Sequence, residues 1–181
     1  MLIAVPVYML FIRDDDSPPS DSELLGAAAD PNKAAEVLLE QVSDAQQGIT
    51  IRYPAGWHGD TEDKTVRVKS PDPKTVIAVT TGGPANQAPA VFQEAVRGVA
   101  SSYEHPRVTL AKPAEAKPIS GLPSASAVIS GKLKGGDNAT TLLSVARGSH
   151  TAYVVSAIVP PNGGDIGVAN LILQRGLTLS G

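Results

Sequence analysis

The chain has 181 residues, 42% hydrophobic but only 4% aromatic, which fits one ordinary domain with an aliphatic core. It contains no cysteine, which excludes disulfides, thiolate metal sites, a cysteine nucleophile and a cysteine-linked lipid within this sequence. The net charge is −3, and residues 1–30, with one basic and six acidic side chains, carry −5 of it. The remaining +2 is too small and too scattered to predict nucleic-acid binding.

The first twelve residues, 1–12, are apolar, interrupted only by Pro6. As a helix they would span about 18 Å, short of a hydrocarbon core of ~30 Å, and they lack the basic start and cleavage site of a signal peptide. Three interpretations stay open: the end of a membrane anchor that starts upstream of Met1, an atypical signal sequence, or a buried helix. We favour the anchor, because residues 13–21 form an acidic, Ser- and Pro-containing linker.

Residues 22–47 have a helical pattern. Asp30 followed by Pro31 is a favourable start, since the aspartate can accept from the first turn and the proline needs no donor there. Gly48 would end this helix. The apolar residues at helical spacing are Ala35, Leu38, Leu39, Val42 and Ala45.

A strand and the corner that ends it follow at residues 49–57. Residues 49–53 alternate apolar and polar side chains, which predicts a half-buried strand. The corner carries the four residues that we single out as structural or binding candidates: Tyr53, Pro54, Gly56 and Trp57. We favour a structural role, in which proline ends the pairing, glycine permits the turn and the single tryptophan closes the core.

The rest of the chain predicts alternating groups of strands and helices. A polar loop at 58–63 precedes strands at 65–69 and 75–81, the second broken by a turn at Gly82-Gly83-Pro84. A helix opens at Pro89 with an apolar stripe at Phe92, Val96, Val99 and Tyr103, and an irregular edge segment follows at 108–119. Three strands at 124–133, 139–146 and 151–159 predict an antiparallel meander, and Asp165 can cap a final helix whose buried face is Ile166, Ala169, Leu173 and Leu177.

This order predicts an α+β fold with a mostly antiparallel sheet shielded by helices. Residues 48–181 form the domain, preceded by the segments 1–12, 13–21 and 22–47.

No set of residues predicts a catalytic, cofactor or metal site. The three histidines, His58, His105 and His150, fall in separate loops without ligand spacing. Ser149 and His150 are adjacent in a predicted turn and would point apart, and Ser124 and Ser126 do not match a Gly-x-Ser-x-Gly motif. The acidic residues Asp60, Glu62 and Asp63 could at most hold a cation weakly.

The segment Ile49-Thr50-Ile51-Arg52-Tyr53-Pro54-Ala55-Gly56-Trp57 resembles the opening signature of the PsbP-like family. The Phe92 helix, Gly121-Leu122-Pro123 before a long strand, the Tyr153-Val154-Val155 strand and the closing helix are similar to the family layout, from about Gly48 to Leu179. The family shares an α/β/α sandwich with a Mog-type Ran-binding import factor and with bacterial exported proteins. The resemblance implies that fold and a non-enzymatic accessory or binding role, often outside the cytoplasm.

Two hypotheses from different classes remain. The first is a membrane-tethered, extracytoplasmic binding module of a protein assembly, with an unknown protein partner or a small apolar ligand, no cofactor, and membrane contact through the N-terminus. The second is a hydrolase-like enzyme whose Ser, His and Asp are assembled by the fold. A histidine beside a serine in a cleft would favour the enzyme, and an apolar pocket or exposed patch the binding module.

Overall fold

The structure, a computed structural model, describes residues 30–72, 74–112, 117–161 and 166–180. The helices within these ranges are α1 (Pro31–Val37), a short 3-10 turn (Ala85–Gln87), α2 (Ala88–Ser101) and α3 (Ile166–Leu171), which continues as a π-helical turn (Ile172–Gly176). The strands are β1 (Glu40–Asp44), β2 (Ile49–Tyr53), β3 (His58–Glu62), β4 (Thr65–Lys69), β5 (Val76–Pro84), β6 (Tyr103–Leu110), β7 (Ser124–Leu133), β8 (Asn138–Arg147), β9 (Thr151–Val159) and β10 (Leu177–Leu179).

Seven strands form one sheet in the order β3-β4-β5-β9-β8-β7-β6, and every neighbouring pair in it is antiparallel. A smaller sheet, in the order β1-β2-β10, is also antiparallel. The predicted α+β class, the antiparallel sheet and the meander of β7, β8 and β9 are therefore confirmed. Within the described ranges, no helix has the length and hydrophobicity needed to cross a bilayer.

The large sheet buries apolar side chains on both of its faces. On one face, α2 covers a core that includes Ile129, Leu143 and Val145. On the other face, the small sheet packs with α1 and α3 over the main core, which includes Ile51, Val79 and Val155. The predicted α/β/α sandwich is confirmed only in part, because the three-stranded sheet shares the second face with two short helices.

The predicted helix over 22–47 is wrong in its second half. Asp30 caps the helix as expected, since its carboxylate accepts from the Asn32 amide at 2.9 Å, but α1 ends at Val37. Residues 40–44 instead form β1, which pairs along the whole length of β2. Sheet pairing overrides the helical spacing of this segment. The pairing satisfies the backbone hydrogen-bonding groups of β2 on a side that would otherwise be open. The predictions for residues 1–21 and 22–29 concern a part of the chain outside the described residues.

Two predicted interruptions of the large sheet are also strand. Residues 58–62 form β3 rather than a loop, because all five pair with β4, and Lys69 and Arg67 of β4 also bind the carboxylates of Asp60 and Glu62. The Gly82-Gly83-Pro84 turn is wrong as well. Strand β5 runs on to Pro84 through a register shift between Thr81 and Gly83, so the glycines mark a bulge.

Two predicted helices end earlier than expected, because the last residue assigned to each of them begins a strand. Tyr103 joins the buried stripe beneath α2, but it does so as the first residue of β6, since α2 ends at Ser101. Leu177 is likewise buried as the first residue of β10. The predicted cap Asp165 lies outside the described residues.

Candidate functional site

Three of the four candidate residues at the corner after β2 are buried, and Gly56 is exposed. Tyr53 is 6% exposed and Trp57 is 7% exposed, and both belong to the main core, while Pro54 is also buried. The Trp57 amide donates to the Pro54 carbonyl at 3.3 Å, and Gly56 takes a φ of +83°, which favours glycine. A buried indole ring presents no platform to a ligand, so this geometry favours the structural interpretation of the corner.

The phenol ring of Tyr53 packs closely against Gly59 of β3. A Cβ atom added to Gly59 would lie 2.7 Å from the Tyr53 hydroxyl and 2.8 Å from Val42 Cβ, so the strand needs glycine there. Burial, and then the charge of Glu40, raises the pKa of Tyr53 above its ordinary value. Tyr53 therefore stays neutral near pH 7 and serves as a packing residue with a polar tip.

The candidate catalytic residues are not brought together. His58 is on β3 and His105 is on β6, the two opposite edges of the seven-stranded sheet, so six strand spacings of about 4.8 Å, or roughly 29 Å, separate these strands. His150 lies in the turn before β9, exposed to solvent. Among the described residues, no group of three or more His, Cys, Asp and Glu side chains is arranged to hold a metal ion.

The serines and acidic residues singled out above have other partners. Ser124 Oγ donates to the Lys117 carbonyl at 2.6 Å, and the hydroxyls of Ser126 and Ser144 lie 2.8 Å apart. Asp60 binds the Lys69 ammonium at 2.7 Å, and that hydrogen bond lowers the pKa of Asp60 against the opposing effect of burial. The predicted acidic loop is therefore an ion-paired strand rather than a bare cluster of carboxylates.

A polar cleft of about 390 Å³ opens where the β1–β2 turn meets β5 and the start of β9. The Gln47 amide donates to Asp44 at 2.7 Å and accepts from the Thr81 hydroxyl at 3.0 Å, so these groups largely satisfy one another. The bond from the Gln47 side chain is the main cause that lowers the pKa of Asp44. Lys64 and Thr151 complete the wall. This lining gives a small apolar ligand little to contact, and that partner remains a proposal.

The more unusual surface is the edge strand β6. Seven of its eight residues are exposed, and Val108 and Leu110 remain 40% and 59% exposed although they are large and apolar. Sequence reasoning placed this segment at an edge but did not single out the pair. The signal was present, since a Val-x-Leu pattern directly after Pro106 and Arg107 puts two apolar residues on one face of an edge strand.

The sequence matches no protein-family model and no curated protein. Among solved structures, it is similar to cyanobacterial PsbP (CyanoP) from Synechocystis sp. PCC 6803, at 14% identity, with a TM-score of 0.50, covering 78% of this chain and 92% of that one. It is also similar to LpqN, involved in cell envelope biogenesis of Mycobacterium tuberculosis, at 12% identity, with a TM-score of 0.51, covering 78% and 90%.

A crystal structure from Bacteroides thetaiotaomicron VPI-5482 matches at 15% identity with a TM-score of 0.49, and it covers 74% of this chain. This chain spans 46% of the length of that protein. Identities this low establish architecture alone. The sequence resemblance is thus confirmed at the level of the fold, and the chain has the PsbP-like fold found in CyanoP and LpqN.

Proposed function

We propose that this chain is a non-enzymatic accessory or binding module of a protein assembly, tethered to a membrane and folded outside the cytoplasm. The observation that carries the proposal is the fold shared with CyanoP and with LpqN, a protein involved in cell envelope biogenesis. Because one fold can host many roles, the surface of this chain must supply the rest of the argument.

The surface is more suited to binding than to catalysis. Catalysis of acyl transfer needs a nucleophile, a base and an oxyanion site within a few ångströms of each other. In the described part of the chain, the candidate histidines are spread over three different parts of the sheet, and the candidate serine hydroxyls bond to a carbonyl or to another serine. Exposed apolar side chains on an open strand edge are instead a feature of surfaces that bind other proteins.

The proposed tether is the apolar segment 1–12. Burying each large apolar side chain contributes about 1.5–3 kcal/mol of free energy, so we expect such a run to be buried away from water. The acidic linker 13–21 separates it from the domain, which favours a bilayer as its environment. A run this short would insert only shallowly, so we propose a shallow anchor.

Fractionation of native cells tests this proposal. We expect the protein to sediment with membranes and to be digested by protease once the outer barrier is opened, while a cytoplasmic marker stays intact. A matched variant that starts at Arg13 should leave the membrane fraction but keep its fold. Recovery of the unaltered protein in the soluble cytoplasm, or full protection from the protease, would contradict the proposal.

A further inference from the structure

Two of the three large hydrophobic residues exposed in the described ranges lie on β6. Val108 and Leu110 are two positions apart and therefore share one face of the strand, while Leu39 is far along the chain before β1. Their partners in β7 are Ile129 and Ala127, which are buried at 0% and 2% exposure. The pair therefore continues the apolar face beneath α2 to the rim of the sheet, where nothing in the described chain covers it.

The backbone of the same two residues faces outward. The Ala111 amide donates to the Ser126 carbonyl at 2.9 Å, which makes residues 111 and 126 a hydrogen-bonded pair of the ladder. Hydrogen-bonded pairs alternate with non-bonded pairs in an antiparallel ladder, so Thr109 bonds to β7 while Val108 and Leu110 do not. The N–H and C=O groups of Val108 and Leu110 are thus available to an added strand.

The part of β6 that can pair with an added strand begins at a defined residue. A register shift separates Glu104 from Arg107, His105 has a φ of +50°, and Pro106 has no N–H to donate. The first outward N–H after Pro106 is that of Val108, so pairing with an added strand can begin there and continue through Leu110. The opposite edge of the large sheet, β3, is lined with ion-paired charged side chains, which discourage strand addition.

Charge decides which occupant fits this edge. Residues 103–137, which contain β6, β7 and the β7–β8 turn, hold five basic and three acidic side chains. The chain as a whole has a net charge of −3, so this end of the sheet is a local basic region. A second copy paired through the same edge would bring two basic regions together, whereas an acidic segment would be attracted.

We propose that β6 binds an extended segment of a partner protein as an additional strand of the sheet. The segment would be flanked by acidic residues and would carry two apolar residues, two positions apart, that pack on Val108 and Leu110. This inference rests on the proposed function in one respect, that the module binds a protein, and it names the surface and the chemistry of that partner.

Titration of the 15N-labelled protein with a synthetic peptide tests the proposal. The probe is acetyl-Glu-Glu-Val-Thr-Val-Glu-Glu-amide, and its control has lysine in place of every glutamate. We expect the acidic peptide to shift the amide signals of Val108 and Leu110, to slow their exchange with deuterium, and to bind at least about tenfold more tightly than the lysine peptide.

Two variants of the protein remove different parts of the site. Leu110→Pro deletes an outward N–H without touching the bonds to β7, and Leu110→Gln keeps the N–H but removes the apolar contact without adding charge. Each should weaken binding about tenfold or more. Leu39→Gln makes the same chemical change at an exposed leucine outside β6 and should leave the affinity within about twofold of the unaltered protein.

Several results would overturn the inference. These are the absence of binding by the acidic peptide, binding that both Leu110 variants leave unchanged, or signal shifts confined to the polar cleft around Asp44 and Lys64. Sedimentation that finds a dimer dissolved by Leu110→Pro would replace the partner segment with a second copy. None of these results bears on membrane fractionation, so failure of this inference and failure of the proposed function are distinguishable.

Discussion

The hydroxyl groups of Tyr103 and Thr141 lie 2.7 Å apart, and both residues are buried. Tyr103 is the first residue of β6, and Thr141 is in β8, on the far side of β7. The bond therefore fixes one end of the edge strand to the interior of the sheet. At the other end of the same strand, Leu110 is 59% exposed, so β6 combines a fixed start with an open end.

Tyr103→Phe should destabilise the domain by about 1–2 kcal/mol, because it leaves the buried hydroxyl of Thr141 without its partner. Urea denaturation followed by circular dichroism would measure the free energy of unfolding. Thr141→Val removes the other hydroxyl, and the double variant should cost less than the sum of the two single changes. Strict additivity would mean that the hydrogen bond contributes nothing to stability.

Trp57→Ala should lower the free energy of unfolding by roughly 3–5 kcal/mol, as truncation of a buried large aromatic side chain does. Leu39→Ala is the matched control, because Leu39 is 67% exposed and its truncation should change stability by less than about 0.5 kcal/mol. Thermal and urea unfolding would compare the two. Unchanged stability of the Trp57 variant, with loss of a binding partner, would make the corner a contact site instead.

Gly176→Ala should destabilise the domain by roughly 1–3 kcal/mol, because a Cβ atom there would collide with the Arg52 carbonyl and crowd Leu38 Cδ1. Gly98 is the control, since it lies in α2 with open space around its missing side chain. Gly98→Ala should stabilise the helix by about 0.5–1 kcal/mol. Melting temperatures that move in the same direction for both variants would contradict this assignment.

Most strands with alternating or continuous apolar residues were predictable from the sequence. The predicted strand 49–53 is β2, and the meander 124–133, 139–146 and 151–159 differs from β7, β8 and β9 by at most one residue at an end. These segments pack against a core on at least one face, so apolar side chains recur at every second residue along them. Local pattern and tertiary packing agree there.

The segments that were predicted wrongly take their structure from pairing with other strands. Strand β3 is polar and its pattern predicts a loop, but all five of its residues pair with β4, and its carboxylates bind Arg67 and Lys69 of that strand. Strand β1 has helical spacing in sequence, yet it pairs with β2 over five residues. The candidate surface was hidden for a similar reason, because the outward direction of the Val108 and Leu110 backbones depends on the register with β7.

Asp72 gives a prediction about pH. Its carboxylate accepts from the Ser70 hydroxyl at 2.6 Å, and this bond is the main cause that lowers the pKa of Asp72 below its ordinary value. Ser70 is 4% exposed and its hydroxyl also accepts from the Thr75 amide at 3.2 Å, so the ionised carboxylate orders the connection between β4 and β5. Because the pKa is lower in the folded state than the value of about 3.9 expected in the unfolded chain, the stabilisation is present above that value. It is lost as the pH falls through the folded-state pKa.

Asp72→Asn should therefore melt at a lower temperature than the unaltered protein at pH 7, and the gap between the two should narrow as the pH falls below about 4. Differential scanning calorimetry from pH 7 to about pH 2.5 would measure both curves. Asp137→Asn, at an exposed aspartate of the β7–β8 turn, controls for the loss of one negative charge and should show a smaller gap at pH 7. Asp72 is exposed itself, so screening keeps the effect modest. A gap that stays constant down to the lowest pH would mean that ionised Asp72 does not stabilise this turn.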